Sequence, residues 1–274
     1  MGKEYRYVKL DPTGNLTDLV LSKTDPADEP SITARLMQDC EQVAYLEKPR
    51  QGGRARIRLM GGEFCGNAAM AAACYLAREA VKPGEETTIP LEVSGAEGVL
   101  PCRVKALEDG YEGTVPMPRV ISIRRETWEG LSLTAVRMEG ILHMICEEPL
   151  ASDAEAERLL REIAGQVPDE AVGLIQWKKE ASAEADAGFV RGEMRPLVYV
   201  RGSGTTVWET GCGSGSAAVG ALEAYRGNGT VRTAVRQPGG VICAEAAAQD
   251  GEIKNISITG RVKIGPEEKG SLPG

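Results

Sequence analysis

Two short segments of this chain carry a cysteine in nearly the same surroundings. Glu63-Phe64-Cys65-Gly66-Asn67-Ala68-Ala69 and Glu209-Thr210-Gly211-Cys212-Gly213-Ser214-Gly215-Ser216-Ala217-Ala218 each place a thiol before a glycine and a short polar residue, where an alanine-rich helix should begin. At a helix N terminus a cysteine faces unpaired backbone N–H groups and the positive end of the helix dipole, which lowers a thiol pKa. Two such cysteines in matching contexts suit stereoinversion at carbon: one sulfur removes a proton and the other returns one to the opposite face. Charge building on an adjacent carboxylate would meet N–H donors at two helix ends, through Gly66-Asn67 and Gly213-Ser214. Each thiol must then act as base in one direction and acid in the other, so its pKa should stay near neutrality.

The remaining chemistry-bearing residues are fewer. Cys40, Cys74, Cys102, Cys146 and Cys243 lack the duplicated context and read as small buried hydrophobes. Glu63 reads as a loop carboxylate, whereas Glu209 is a candidate to assist a substrate ammonium. His143 is the only histidine, which excludes a multi-histidine metal site. It lies in an expected strand, where a hydrogen-bonded structural role outweighs that of a base, and it is the one ring available for support.

To position these groups, the chain offers many short β-rich runs and four helical segments. Strands are expected at Tyr5–Leu10, Val43–Leu46, Arg54–Met60, Thr88–Val93, Gly98–Ala106, Leu133–Met138, Gly140–Cys146, Val172–Trp177, Leu197–Val200, Thr230–Gln237, Val241–Glu245 and Ile253–Thr259. Helices are expected over Asn67–Ala80 and Ser214–Tyr225, after Ser31, and after the capping box Ser152-Asp153-Ala154-Glu155. The two cysteine-led helices carry small residues all round and should be enclosed by sheet. The expected fold is therefore α/β, with two pseudosymmetric domains, each a β-rich sheet or barrel wrapped round a central helix. The expected boundaries are 1–116 with Cys65, completed by a C-terminal strand over 260–274, and 117–259 with Cys212.

The 274 residues are 42% hydrophobic and 26% charged, a globular composition. A net charge of −8 with no basic cluster argues against nucleic-acid partners. No apolar run is long enough to span a bilayer, and Met1-Gly2-Lys3-Glu4-Tyr5-Arg6 lacks the apolar core of a signal peptide. The expectation is a cytoplasmic protein, and the odd count of 7 cysteines without a CxxC pair favours thiols over disulfides. No phosphate-binding loop is present, and Gly202-Ser203-Gly204 does not complete a dinucleotide motif.

At these residues the chain resembles the diaminopimelate epimerase superfamily, the racemases that work without pyridoxal phosphate. Cys65-Gly66-Asn67-Ala68 is similar to the family's CGNGAR motif and Cys212-Gly213-Ser214-Gly215-Ser216-Ala217 to its CGTGA motif. Thr13-Gly14-Asn15 is similar to GND, Glu41-Gln42 to DQ, Tyr199-Val200-Arg201-Gly202 to YERG, and Gln237-Pro238-Gly239-Gly240 followed by Thr259-Gly260 to the closing LPGG and TG. The resemblance runs along nearly the whole chain. It implies a two-cysteine mechanism with catalytic Cys65 and Cys212, no cofactor, no metal and an amino-acid substrate. Substrate-binding roles then fall to Asn15, Gln42, Gly66, Asn67, Gly213, Ser214, Glu209, Arg201 and His143, and a homodimer is compatible with it.

The departures narrow the substrate. Ile141 stands where the epimerases have the Asn of GNPH, and Val200 where they have the Glu of YERG. Further side-chain-binding Asn positions are missing around Val172–Gln176 and in the strand before Cys65, and the loop from Arg201 to Cys212 is longer. Met60-Gly61-Gly62-Glu63-Phe64-Cys65-Gly66-Asn67-Ala68 resembles the same segment of the histidine racemases that feed opine-type metallophore synthesis. Histidine is therefore the expected substrate. The alternatives are a diaminopimelate epimerase, a proline-racemase-like enzyme (whose first motif has His where Asn67 stands), a non-catalytic amino-acid-binding protein, and a thiol redox sensor.

Overall fold

The computed structural model describes residues 3–181 and 188–272. The chain divides into two compact units, Met1–Pro116 with Thr259–Gly274, and Met117–Ile258. The first holds β1 (Glu4–Pro12), β2 (Thr17–Val20), α1 (Glu29–Leu36), β3 (Gln42–Glu47), β4 (Ala55–Leu59), α2 (Gly66–Ala77), β5 (Glu86–Val93), β6 (Leu100–Leu107) and β7 (Gly110–Pro116). The second holds β8 (Val120–Trp128), β9 (Leu131–Met138), β10 (Ile141–Cys146), α3 (Asp153–Gln166), β11 (Ala171–Lys179), β12 (Phe189–Val200), β13 (Thr205–Trp208), α4 (Gly213–Gly227), β14 (Thr230–Gln237) and β15 (Gly240–Gln249). The long strand β16 (Glu252–Ser271) starts in the second unit and ends in the first.

Both units repeat one succession of elements. In the first, β1 and β2 are antiparallel, β2 and β3 are parallel across α1, β3 and β4 antiparallel, β4 and β5 parallel across α2, and β5 and β6 antiparallel. In the second, the same series runs through β9–β10, β10–α3–β11, β11–β12, β12–α4–β14 and β14–β15. Parallel neighbours need a crossover, and the helices are those crossovers. In the first unit the strand order β1-β2-β3-β4-β5-β6-β7-β16 is closed by antiparallel pairing of β1 with β16, which removes the open edges. The architecture is thus α/β and pseudosymmetric, as the duplicated motifs require.

The helices differ in what they bury. α3 is amphipathic and lays Ala156, Leu159, Leu160, Ile163 and Ala164 against Leu133, Leu142, Met144, Leu174 and Leu197. Its N-cap Ser152 accepts from the Glu155 N–H at 3.2 Å, and Glu155 Oε2 accepts from the Ala151 N–H at 2.7 Å. α2 and α4, by contrast, are buried on nearly every side. Enclosure demands small neighbours: a Cβ at Gly113 would lie 2.4 Å from Met70 Cγ, and one at Gly220 would lie 2.6 Å from Ala244 Cβ.

The structure corrects three expectations. α1 begins at Glu29 rather than after Ser31, because Pro30 fits the first turn, where its missing N–H has no partner to lose. β2 and β8 form where no strand was expected, the first too short and the second too charged to show a pattern. The long loop from Arg201 to Cys212 contains β13, which folds back on β12 with Leu197 opposite Trp208 and Val200 opposite Thr205.

Asp18 in β2 is 1% exposed, and neither carboxylate oxygen accepts a hydrogen bond. Burial pushes its pKa up to about 6, against an opposing pull from Lys9 across the β1–β2 pair. Because the folded value exceeds the unfolded one, the stability linked to this group is present at low pH and is lost as pH rises through about 6. Asp18→Asn, neutral at every pH, should therefore raise Tm at pH above 7 by more than at pH below 5. A calorimetric pH series checks this.

Candidate active site

The first cysteine is placed by the turn between β4 and α2. Ser94, buried at the end of β5, accepts from the Leu59 N–H at 2.9 Å and donates to the Glu63 carbonyl at 2.8 Å, pinning the segment that leads into Cys65. Cys65 is the N-cap of α2, with extended dihedrals of φ −134 and ψ 115, and its side chain is half-buried. Around the start of this helix a set of amides converges. Asn67 Nδ2 donates to Asn15 Oδ1 at 3.2 Å, and Gln42 Nε2 donates to the same oxygen at 2.6 Å and to Thr17 Oγ1 at 2.9 Å. Asn15 Nδ2 in turn donates to Glu41 Oε2 at 2.5 Å.

The second cysteine is the N-cap of α4, again extended, at φ −111 and ψ 106. Its backbone N–H donates to Gln237 Oε1 at 2.6 Å, Gln237 Nε2 donates to Ser216 Oγ at 2.9 Å, and Ser216 Oγ donates to the Cys212 carbonyl at 2.8 Å. The sulfur accepts from the Gly215 N–H at 3.3 Å and lies 3.5 Å from Ser214 Oγ. The Glu209 carboxylate contacts the same thiol.

These surroundings set the protonation of Cys212. Its pKa is pushed well above the ordinary thiol value, first by burial and then by the charge and hydrogen bond of Glu209. The Ser214 hydroxyl and the Gly215 N–H pull the other way. Cys212 therefore rests as a thiol, contrary to the lowered value that a helix N terminus alone would give. His143 is fully buried, its Nε2 lies 3.0 Å from Ser214 Oγ, and burial lowers its pKa to about 3. It is a neutral ring at any working pH.

The histidine racemase CntK N-terminal domain model matches residues 4–270. The chain belongs to this family. A histidine racemase of Staphylococcus aureus is 26% identical over 250 residues, covering 86% of each chain. A diaminopimelate epimerase of Xanthomonas campestris is 25% identical over 278 residues, covering 90% of this chain and 91% of the relative. Among solved structures, a hydroxyproline epimerase from Agrobacterium vitis, with bound trans-4-hydroxy-L-proline, superposes with a TM-score of 0.69 at 14% identity. It covers 99% of this chain and 94% of that one, a likeness of fold.

In this family member the expected site residues sort into two groups and one exception. Asn15, Gln42, Gly66 and Asn67 gather at the start of α2; Glu209, Gly213, Ser214 and His143 gather at the start of α4. Arg201 stands apart. It lies at the tip of the β12–β13 hairpin, while Cys212 follows the hairpin's base. Its guanidinium donates to the carbonyls of Ala164 and Val167 at 2.6 and 2.9 Å, closing the C terminus of α3.

Glu41, Ser94 and Gln237, like Thr17 and Ser216, had drawn no site role in the sequence. Glu41 was visible only as half of a two-residue motif, and Ser94 carries no local signal. Gln237 was visible only as the end of an expected strand and the first residue of the segment similar to LPGG, and its partners give it its role. Cys74 and Cys102 are fully buried, with thiol pKa values raised by burial, Cys102 to about 12. Among the described residues no group of three or more His, Cys, Asp or Glu side chains could hold a metal ion, and no helix is long and apolar enough to cross a membrane.

Gln237→Leu keeps the volume but strips partners from the Cys212 N–H and the Ser216 hydroxyl, both buried. The expected loss is about 1–3 kcal/mol of folding stability, from the desolvation of unmatched polar groups. Denaturant unfolding of the two proteins measures it, and an unchanged midpoint would remove Gln237 from the framework of α4.

Proposed function

We propose that the protein is a cofactor-independent amino-acid racemase that inverts Cα of histidine with two thiols, Cys65 and Cys212, one acting on each face. The observation that carries the reading is the repeated placement of a cysteine as the extended N-cap of an enclosed helix, once in each unit. In one direction a Cys65 thiolate takes the Cα proton and the Cys212 thiol delivers its own; in the other direction the roles exchange. The first-turn amides of Gly66-Asn67 and Gly213-Ser214 receive the charge that builds on the substrate carboxylate. Each turnover leaves the thiols exchanged in protonation, and solvent restores them, so no metal or prosthetic group is required.

Membership in the histidine racemase family supports the choice of substrate, as does the S. aureus relative. The Glu41 carboxylate beside the Asn15, Gln42 and Asn67 amides suits a side chain that brings N–H donors, as imidazole does. We assign residues 1–116 and 260–274 to the half-domain of Cys65, and 117–259 to that of Cys212. A cytoplasmic setting fits an odd count of seven cysteines without a CxxC pair.

Incubation with L-histidine in D2O should bring the circular dichroism to zero and place deuterium at Cα. Cys65→Ala and Cys212→Ala should each abolish racemisation, whereas Cys74→Ala should leave it nearly intact. A single mutant that racemises at close to the wild-type rate would eliminate the two-thiol mechanism.

meso-Diaminopimelate should be a poor substrate, because Ile141 and Val200 offer no hydrogen bonds where the epimerases present Asn and Glu. Several unmatched polar groups should separate the two substrates by roughly 10⁴ in kcat/KM. Parallel rate measurements on both amino acids decide this, and comparable efficiencies would favour the epimerase reading.

A further inference from the structure

We propose that His143 is a positioning residue that acts on Cys212 through Ser214, holding the Ser214 hydroxyl as a fixed donor toward the Cys212 sulfur. The inference rests on the racemase reading for its meaning in turnover, but the hydrogen-bond chain stands on geometry within one unit.

The ring of His143 sits on β10 directly opposite Gly173 of β11. A Cβ at residue 173 would lie 2.3 Å from Nδ1 and 2.8 Å from Cε1, so the ring occupies a slot that only glycine leaves open. The side chain is completely buried, and Nδ1 has no hydrogen-bond partner. An orphaned buried N–H is rarer and costlier than an orphaned lone pair, so the proton belongs on Nε2. Nε2–H then donates to Ser214 Oγ at 3.0 Å.

That bond decides what Ser214 does next. A hydroxyl has one proton and two lone pairs, and its proton normally rotates to suit its neighbours. With one lone pair taken by Nε2–H, the O–H is turned toward the sulfur of Cys212 at 3.5 Å. Cys212 consequently lies between two donors, Ser214 and the Gly215 N–H, and one acceptor, Glu209. The donors favour the thiolate and the acceptor favours the thiol, and a thiol that must be both acid and base uses both. His143 itself exchanges no proton: only burial acts on its titration, and it stays neutral. Of the groups facing the sulfur, Glu209 is the charged one that shifts Cys212.

The test is a titration that needs no substrate: thiolate ultraviolet absorbance of the full-length protein against pH, minus that of Cys212→Ala. His143→Leu should move the Cys212 titration to higher pH by about 1 unit, the size expected for losing one hydrogen bond to a charged sulfur. His143→Gln, which keeps an N–H donor, should recover part of the shift. Ser214→Ala should match His143→Leu, and the double variant should be no worse than either single one, as members of one chain behave. With histidine, His143→Leu should lower kcat roughly 10-fold or more, change KM little, and displace the pH–rate limb in the same sense. If His143→Leu does not fold, Ser214→Ala carries the titration alone. An unmoved Cys212 titration in the folded variants overturns the proposal, even if stability falls. Absent racemisation with a shifted titration would overturn the racemase reading and leave the chain from His143 to Cys212 standing.

Discussion

A helix enclosed by strands on all sides must satisfy its first backbone N–H groups without water, and that requirement organises both halves of this molecule. α2 and α4 are rich in small residues because sheets press closely on their buried faces. Their N termini are consequently places where polar groups are scarce and each has a defined partner. At α4 the chain from Cys212 N–H through Gln237 and Ser216 back to the Cys212 carbonyl closes on itself. At α2 the Asn15, Gln42 and Asn67 side-chain amides are bonded to one another and, through Asn15, to the Glu41 carboxylate. A thiol at such a position is held to a narrow set of geometries before any substrate arrives.

The same enclosure reverses the first electrostatic expectation. A helix N terminus favours thiolate, but the effect is modest. At Cys212 the desolvation of a buried anion and the nearby charge of Glu209 are larger, so the thiol is the resting form. What the helix supplies is a fixed N–H from Gly215 that meets the sulfur when it ionises. Local donors and one acceptor, rather than the dipole alone, set the balance.

Much of this was legible in the chain because the two cysteine motifs are short, local and duplicated. The cysteine-led helices, the β-rich halves around them and the amphipathic α3 follow from patterns within a few residues of one another. The parts that escaped are those fixed by distant pairing. β2 is a four-residue strand that exists because β1 and β3 flank it, and β13 exists because β12 accepts it. Arg201 matched a substrate-binding motif, yet the hairpin carries it to the C terminus of α3, where free carbonyls take its guanidinium. Ser94 carries no signal that distinguishes it from an ordinary strand-end residue, and Gln237 showed only as the head of a motif with no stated role. Their roles arise only when a second segment presents the complementary atom.

Duplication accounts for two thiols, but a two-base inversion asks for more than two copies. At the start of a turnover one sulfur must be ionised and the other protonated; a pair with identical surroundings would have no preference between that state and its mirror. Here the backbone frame is repeated and its decoration is not. Cys65 begins a helix beside amides and Glu41, and is half-buried. Cys212 begins one beside Ser214, Gln237 and Glu209, with the neutral ring of His143 behind the serine. The frame repeats the N-cap placement of a thiol, and at Cys212 the neighbours and burial hold that thiol protonated. The protonation of Cys212 comes from burial and from Glu209, which opens the second motif, while the His143 ring behind Ser214 lies outside that motif.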